Sequence, residues 1–450
     1  MTVDFSSLKR KYHSLASDKS FSEIFHGSLW ALGAKLTAIG LWILCSVIIA
    51  NAYGAKVLGI VTVIQAFLKL ATTFTLLGTQ TSILRLIPEH LTRYSTVSAF
   101  RVFRKTLLIV AVASLAAGIL FHHGSGAIAG HVFSNSSLSF YFALAAMFIV
   151  FKSMMMFNTS AVRGLKMIRA FALMKVLPQG LNLLLLLSLG LVSPSSDVPV
   201  YALLGGYALT GLAGWAIMEY SFRKRVSPQG RIQVMPVREI LTISLPMLMT
   251  AAMTFVIGQT GVIMLGIFRP EAEVGYYAVA VKLATLTAFI LHAVASIAAP
   301  RFSELYHSGR IEELFYVAKK SARMIFWVST PILLVFVFLG RPILYIGFGD
   351  EFLTAYPALV LLVLGQFVHS ISGATGVFMN MTGHQKVLRN IIFVAASTNI
   401  AMNLLLTPDY GIYGAAAAAM VSLMSWNIAT LCYIKKKFGR TTGYFPVLAA

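Results

Sequence analysis

Apolar residues run in long blocks along this chain, and the polar and charged positions gather in short gaps between them. A helix needs roughly 20 mainly apolar residues to cross a bilayer. Twelve stretches reach that length: 24–50, 57–84, 102–121, 138–160, 170–191, 200–221, 240–268, 273–300, 322–340, 354–380, 386–406 and 411–434. The connections are too short for a soluble domain. With backbone groups that must be satisfied inside each segment, the pattern predicts an all-α polytopic membrane protein with about twelve transmembrane helices. Composition agrees: 58% hydrophobic and 11% charged residues lie far outside the range of soluble domains.

The blocks repeat. Lys69-Leu70-Ala71-Thr72 in the second span recurs as Lys282-Leu283-Ala284-Thr285 in the eighth. Both runs continue to a proline, Pro88 and Pro300, with Arg85 and Arg301 close by. Gly164, Arg169 and Asn182 are echoed by Gly383, Arg389 and Asn403, and Trp215 and Trp426 mark the last helix of each half. Two halves with even numbers of spans share one orientation, as in transporters whose lobes rock about a central cavity. The expected organisation is an N-terminal tail (1–23), a six-helix lobe (24–221), a basic linker (222–238), a second six-helix lobe (239–434) and a C-terminal tail (435–450). Gly205, Gly206, Gly211 and Gly214 stripe the sixth span, which suits close helix packing in lipid.

A formal charge of +21 suggests a nucleic-acid partner until the charges are mapped. With basic residues at the inner helix ends counted with their loops, 29 of the 36 Lys and Arg fall in the tails and even-numbered loops, and only Lys56, Arg269 and Arg341 fall in the odd-numbered ones. This is the positive-inside pattern; it places both termini in the cytoplasm and replaces nucleic acid with anionic inner-leaflet lipid as the reason for the high pI. Leu36–Ile49 followed by Ala50-Asn51-Ala52 has the look of a secretory signal, but the preceding polar region is long for one and Lys35 borders the apolar core, so a retained helix is expected. Cys45 and Cys432 both fall in spans and are read as packing residues.

Four lysines remain at membrane depth: Lys35, Lys69, Lys152 and Lys282. A cation near the bilayer centre costs roughly 2.5–3.5 kcal/mol on insertion scales, and no Asp or Glu stands beside these in the middle of a span. Lys35 lies about eleven residues, roughly 16 Å, into the first span. Lys69 and Lys282 recur in equivalent places and lie too deep for easy snorkelling; Lys152 is near an inner helix end, where snorkelling explains it. Gln259, Asn380, Asn399 and Asn403 add neutral polar groups, fit for sugar hydroxyls or for helix–helix hydrogen bonds. The candidate binding residues are therefore Lys35, Lys69 and Lys282, with Lys152, Gln259 and Asn380 as secondary candidates.

Catalytic and metal signatures are missing. Gly27 to Thr37 has neither the glycine spacing nor the Gly-Lys pair of a phosphate loop. His122, His123 and His131 fall in an outer loop and read as polar loop residues rather than metal ligands, and Asn158 reads as a helix-capping residue. No cofactor is expected. The shortage of buried acids counts against export of cationic drugs coupled to protons or sodium.

Several motifs resemble one family. Ser244-Leu245-Pro246, Glu273-Val274-Gly275-Tyr276-Tyr277, Ala299-Pro300-Arg301-Phe302-Ser303-Glu304-Leu305-Tyr306, Leu364-Gly365-Gln366, Met379-Asn380-Met381-Thr382-Gly383-His384 and Tyr410-Gly411-Ile412-Tyr413-Gly414-Ala415-Ala416 are similar to those of polysaccharide (O-antigen type) flippases in the multidrug/oligosaccharidyl-lipid/polysaccharide exporter superfamily. Tyr53-Gly54 to Leu58-Gly59 is a weaker first-half counterpart. The resemblance implies two six-helix lobes with helices one, two, seven and eight facing a central cavity, and so Lys35, Lys69 and Lys282 on the cavity side. It implies a non-enzymatic flippase of the bacterial inner membrane. Its substrate would be an oligosaccharide on polyprenyl diphosphate, for surface polysaccharide or lipopolysaccharide, with membrane lipids and other polysaccharide-assembly proteins as partners. A multidrug antiporter of the same superfamily, and a membrane glycosyltransferase or polymerase, are the alternatives.

The charge asymmetry yields a direct test. In a background lacking Cys45 and Cys432, Ser125→Cys is expected to react with an impermeant thiol reagent in intact cells, and Ser227→Cys only after the membrane is opened. The reverse pattern inverts the topology.

Overall fold

The computed structural model describes residues 19–193, 195–225 and 232–444; most of the N-terminal tail, the linker segment 226–231 and the last six residues lie outside them. No strand occurs among the described residues. The main helices are α1 (Lys19–Thr75), α2 (Thr79–Arg93), α3 (Thr96–His123), α4 (Ser139–Met147), α5 (Ile149–Gly164), α6 (Ile168–Val192), α7 (Val198–Arg225), α8 (Val237–Phe268), α9 (Glu271–Ala284), α10 (Ala288–His307), α11 (Ile311–Phe338), α12 (Gly340–Phe348), α13 (Tyr356–Ser372), α14 (Thr375–Met381) and α15 (Gln385–Phe438).

Among the described residues nine helices are long and apolar enough to cross a membrane, or ten if the 46° bent pair around Phe148 is one span. Twelve were expected from the sequence. The difference lies in α1 and α15, whose 57 and 54 residues would extend roughly 80–85 Å as straight helices, far more than one bilayer. Each is broken at a glycine: Gly54 has φ 85° and ψ 167°, and Gly411 has φ 51° and ψ −128°. Both breaks follow a tyrosine, Tyr53 and Tyr410, and the positive φ is why glycine stands there.

By packing, the chain forms two compact units. The first comprises residues up to Cys45 with Thr75–Ala116 and Phe148–Met247; the second comprises Ser46–Phe74, Ala117–Met147 and Leu248 onward.

In the first unit, Phe103 stacks on Phe157 at 5.8 Å, and Phe222 lies 5.5 Å from Phe103 and 5.0 Å from Phe100. This aromatic core joins α3, α5 and α7. The described end of the linker is tied to α3: Ser98 Oγ donates to Gln233 O at 2.8 Å and Lys105 Nζ to Met235 O at 2.8 Å. His90 Nδ1 lies 2.9 Å from Ser98 Oγ. Burial holds this imidazole below its ordinary pKa, against the opposing pull of Glu89 and Glu239.

The glycine stripe of α7 packs as its spacing suggests. A Cβ at Gly206 would lie 2.9 Å from Pro178 O, and one at Gly211 would lie 2.6 Å from Phe151 O, so α6 and α5 approach backbone to backbone. Asn158 belongs to this contact. It is buried within α5 and donates to Gly211 O at 3.4 Å, bridging helices instead of capping one.

In the second unit the scattered motifs converge. Phe378 packs against Phe302, Phe315 and Phe438, while His384 meets Tyr306, Tyr433 and Phe438. At the opposite helix ends, Arg269 pairs with Glu273 at 2.9 Å and reaches Pro408 O at 3.4 Å, and the Glu273 carboxylate covers Gly411. The 122–137 segment is ordered, unlike the polar loop expected there. It contains a π-helical turn at Ile128–Val132, Asn135 donates to the Glu271 carboxylate, and Phe133 packs on Gly266. Cys45 is buried and Cys432 exposed.

Gly211→Val is expected to lower the thermal-unfolding midpoint of the detergent-solubilised protein by several degrees, since overpacking costs about 1–3 kcal/mol. Gly130→Ala, where a Cβ meets nothing within 4 Å, should leave it unchanged. Equal midpoints would refute the close α5–α7 approach.

Candidate functional site

Lys69 and Lys282 stand on two helices of the second unit that touch at glycines. A Cβ at Gly59 would lie 1.6 Å from Glu271 O, and one at Gly275 would lie 2.6 Å from Ala55 O. No side chain separates the second half of α1 from α9 at this point. Lys69 follows Gly59 by ten residues and Lys282 follows Gly275 by seven, roughly 15 and 10 Å along their helices.

Both lysines are then followed by a helix break that the sequence did not reveal. After Lys69, α1 ends at Thr75, and Leu77 and Gly78 take φ of 49° and 77° before α2 begins. A leucine in the left-handed region is strained. After Lys282, α9 ends at Ala284 and the chain passes through one tight turn, Thr285–Thr287, into α10. Lys282 therefore sits in the last turn of its helix, where Thr285 Oγ1 donates to Val281 O and Lys282 O and Thr287 Oγ1 donates to Ala284 O. Lys69 is exposed and Lys282 half-buried. In secondary transporters, broken helices near charged side chains build ion and substrate sites.

Lys35 is exposed on α1 in the first unit. Lys152, in the same unit, is buried, with its Nζ 4.3 Å from the centre of the Tyr207 ring; this contact explains its presence by packing. Gln259 is half-buried and donates to Gly258 O at 2.6 Å, and Asn380 is exposed. Asn399 and Asn403 are taken up in helix contacts, Asn399 donating to Ala418 O at 3.2 Å and Asn403 to Asn399 O at 2.9 Å.

One lysine was missed. Lys175, counted from the sequence with an inner loop, lies seven residues past the start of α6, is exposed, and has its Nζ 5.6 Å from the Phe171 ring. Lying five residues into the expected span 170–191, it counts in the sequence as helix-end charge with the loop before it.

The acids are placed to neutralise arginines. Glu219 is buried between Arg104 of α3 and Arg223 of α7, Glu273 holds Arg269, and Glu89 takes both Arg85 and Arg93. Neither Lys69 nor Lys175 is in an ion pair among the described residues. No group of three or more metal-ligating side chains occurs among them either. The arrangement can attract an anion, and the carboxylates of Glu219 and Glu273 are taken up by arginine.

Residues 24–306, more than half of the chain, match the family described as polysaccharide biosynthesis protein. The chain belongs to that family. Within this polysaccharide biosynthesis family setting, it is 24% identical over 241 residues to the probable low-salt glycan biosynthesis flippase Agl15 of Haloferax volcanii, covering 53% of this chain and 48% of that protein. It is 25% identical over 166 residues to an uncharacterised membrane protein of Methanocaldococcus jannaschii, covering 37% and 33%. The matched regions thus span a third to a half of these curated relatives.

The fold is similar to an inward-facing multidrug resistance MATE family transporter of the MOP superfamily (TM-score 0.67, 16% identity, 92% of this chain and 98% of that one). It is similar also to a MOP superfamily transporter from Pyrococcus furiosus Vc1 (0.62, 16%, 93% and 95%) and to the lipid II flippase MurJ (0.56, 15%, 92% and 86%). At such identities the likeness is one of fold, and it bears out the all-helical polytopic architecture expected from the sequence.

A double-mutant cycle separates packed from functional lysines. Lys152→Met and Tyr207→Leu are expected to couple by about 0.5–2 kcal/mol in thermal or denaturant unfolding, the size of a cation–π contact. Absence of coupling would return Lys152 to the substrate-binding candidates.

Proposed function

We propose that this protein is a flippase that carries an oligosaccharide linked to a polyprenyl diphosphate from the inner to the outer leaflet of the plasma membrane, by alternating access of two six-helix lobes and without covalent chemistry. In this reading α1 and α15 each make two crossings, which gives twelve in all, and both termini are cytoplasmic. The observation that carries it is the exposed or half-exposed position of Lys35, Lys69 and Lys282 on long apolar helices, while Glu219 and Glu273 are bound to arginine. A diphosphate satisfies that charge pattern and a cationic drug does not. The glycan flippase name borne by one relative supports the same substrate class. The surface-polysaccharide and lipopolysaccharide role in a bacterial inner membrane belongs to this proposal as its narrower form.

Moving an anion outward from a negative-inside cell is favoured by about 2.3 kcal/mol per charge per 100 mV, so the membrane potential can drive the step. The fold likeness to a multidrug transporter keeps drug antiport as the rival.

Deletion of the gene is expected to leave lipid-linked oligosaccharide on the inner leaflet and to abolish surface glycan; accumulation of the bare lipid carrier would instead point to sugar addition. In complementation normalised to protein level, Lys69→Ala and Lys282→Ala should cut transport tenfold or more. Arg should restore part of it, and Glu should be worst. Full complementation by Lys69→Gln and Lys282→Gln together would refute a cationic substrate site.

A further inference from the structure

A groove in the second unit has cations in its own wall. It encloses about 760 Å³ between α10 and α11, and Arg301, Lys320 and Arg323 all line it. The apolar part of the wall is Val294 and Ile297 on α10, with Met324 and Trp327 on α11. Ile297, Met324 and Trp327 are exposed, so this wall faces outwards from the helix pair.

The two kinds of wall are ordered along the groove. Helix α10 runs into the short connection at 308–310, and α11 runs away from it. Arg301 is seven residues nearer that connection than Val294, and Lys320 is seven residues nearer than Trp327, roughly 10 Å on each helix. The groove therefore grades from cationic beside the connection to apolar beyond it.

Arg301 pairs with Glu304 at 2.6 Å on the surface, a kind of pair that contributes little. Glu312 and Glu313, in the first turn of α11, are held by Arg440 and Arg310. Lys320 and Arg323 have aromatic neighbours instead, each 5.8 Å from a ring centre, that of Tyr316 and of Tyr444 respectively. Neither is in an ion pair among the described residues.

We propose that this groove binds an anionic phospholipid, its phosphate held by Lys320 and Arg323 with Arg301 across the groove, and an acyl chain against Ile297, Met324 and Trp327. The occupant follows from the charge and from its order along the helices. A free phosphate would answer the cations and leave the apolar wall bare. A zwitterionic lipid would cover the wall but bring a cation of its own to the basic end. An anionic phospholipid meets both parts. On the positive-inside expectation the 308–310 connection lies at the inner face, where anionic lipid gathers and basic pockets between membrane helices bind its headgroups. The site uses neither Lys69 nor Lys282, so it stands whether or not the protein flips a glycan lipid.

The test is native mass spectrometry of the full-length, detergent-solubilised protein titrated with phosphatidylglycerol or with phosphatidylcholine of the same acyl chains. The wild type is expected to retain phosphatidylglycerol more tightly. Lys320→Gln or Arg323→Gln should weaken phosphatidylglycerol binding about fivefold, and both together about thirtyfold, from the contribution of one basic side chain near an anionic headgroup. Phosphatidylcholine binding should not change. Ile297→Ser with Met324→Ser should weaken both lipids. Lys386→Gln with Arg389→Gln, which removes two exposed cations from α15, should alter neither. All these side chains are exposed, so the variants are expected to keep the lipid-free unfolding midpoint of the wild type.

Equal retention of the two lipids by the wild type would overturn the site, as would wild-type phosphatidylglycerol binding with both Lys320 and Arg323 replaced. Displacement of the lipid by an equal concentration of glycerol 3-phosphate would reduce the groove to an anion site and overturn the lipid assignment. Tighter binding of geranylgeranyl diphosphate than of phosphatidylglycerol, lost in the same double variant, would make the groove part of a substrate path and overturn it too.

Discussion

Ammonium groups carried on long apolar helices set the terms for the rest of this molecule. Each costs a few kcal/mol unless something answers its charge. Lys152 is answered by the Tyr207 ring, Arg104 and Arg223 by Glu219, and Arg269 by Glu273. Lys69 and Lys175 remain exposed, outside every ion pair among the described residues.

Much of this was legible in the sequence. The hydrophobic blocks are long and nearly free of charge, so helices and their polarity followed from composition alone, and the Lys-Leu-Ala-Thr repeat pointed to Lys69 and Lys282. The details that escaped are those in which local pattern and three-dimensional use differ. Asn158 sits near an expected helix end, where asparagine is usually a cap, yet α5 runs on past it and the side chain reaches α7. The 122–137 segment has loop composition, and its order comes from Glu271, far along the chain. Lys175 fell close enough to an inner boundary to be counted as loop charge. The breaks after Thr75 and Ala284 have no proline in them; at the first, an uncommon leucine conformation makes the turn, and residue type alone could not announce it.

The repeat is also less symmetrical in structure than in sequence. Lys69 precedes its helix break by several residues and is exposed, whereas Lys282 lies in the terminal turn of α9 and is half-buried. The same tetrapeptide is thus presented in two settings, one exposed within a helix and one half-buried at a helix end. If the lysines act on a common substrate, they need not act with equal strength or at the same stage.

The Gly59–Gly275 contact has a mechanical consequence. An interface made of interlocked side chains must lose and regain rotamer order each time it parts, at up to about 2 kcal/mol for each long side chain. Here a methylene faces a carbonyl, a weak Cα–H···O type of contact with no rotamers to reorder. Such a joint can open and reseat without repacking, and its fit is set by backbone geometry alone. The two lysine-bearing helices are therefore joined by a clasp whose closure carries almost no entropic resistance of its own.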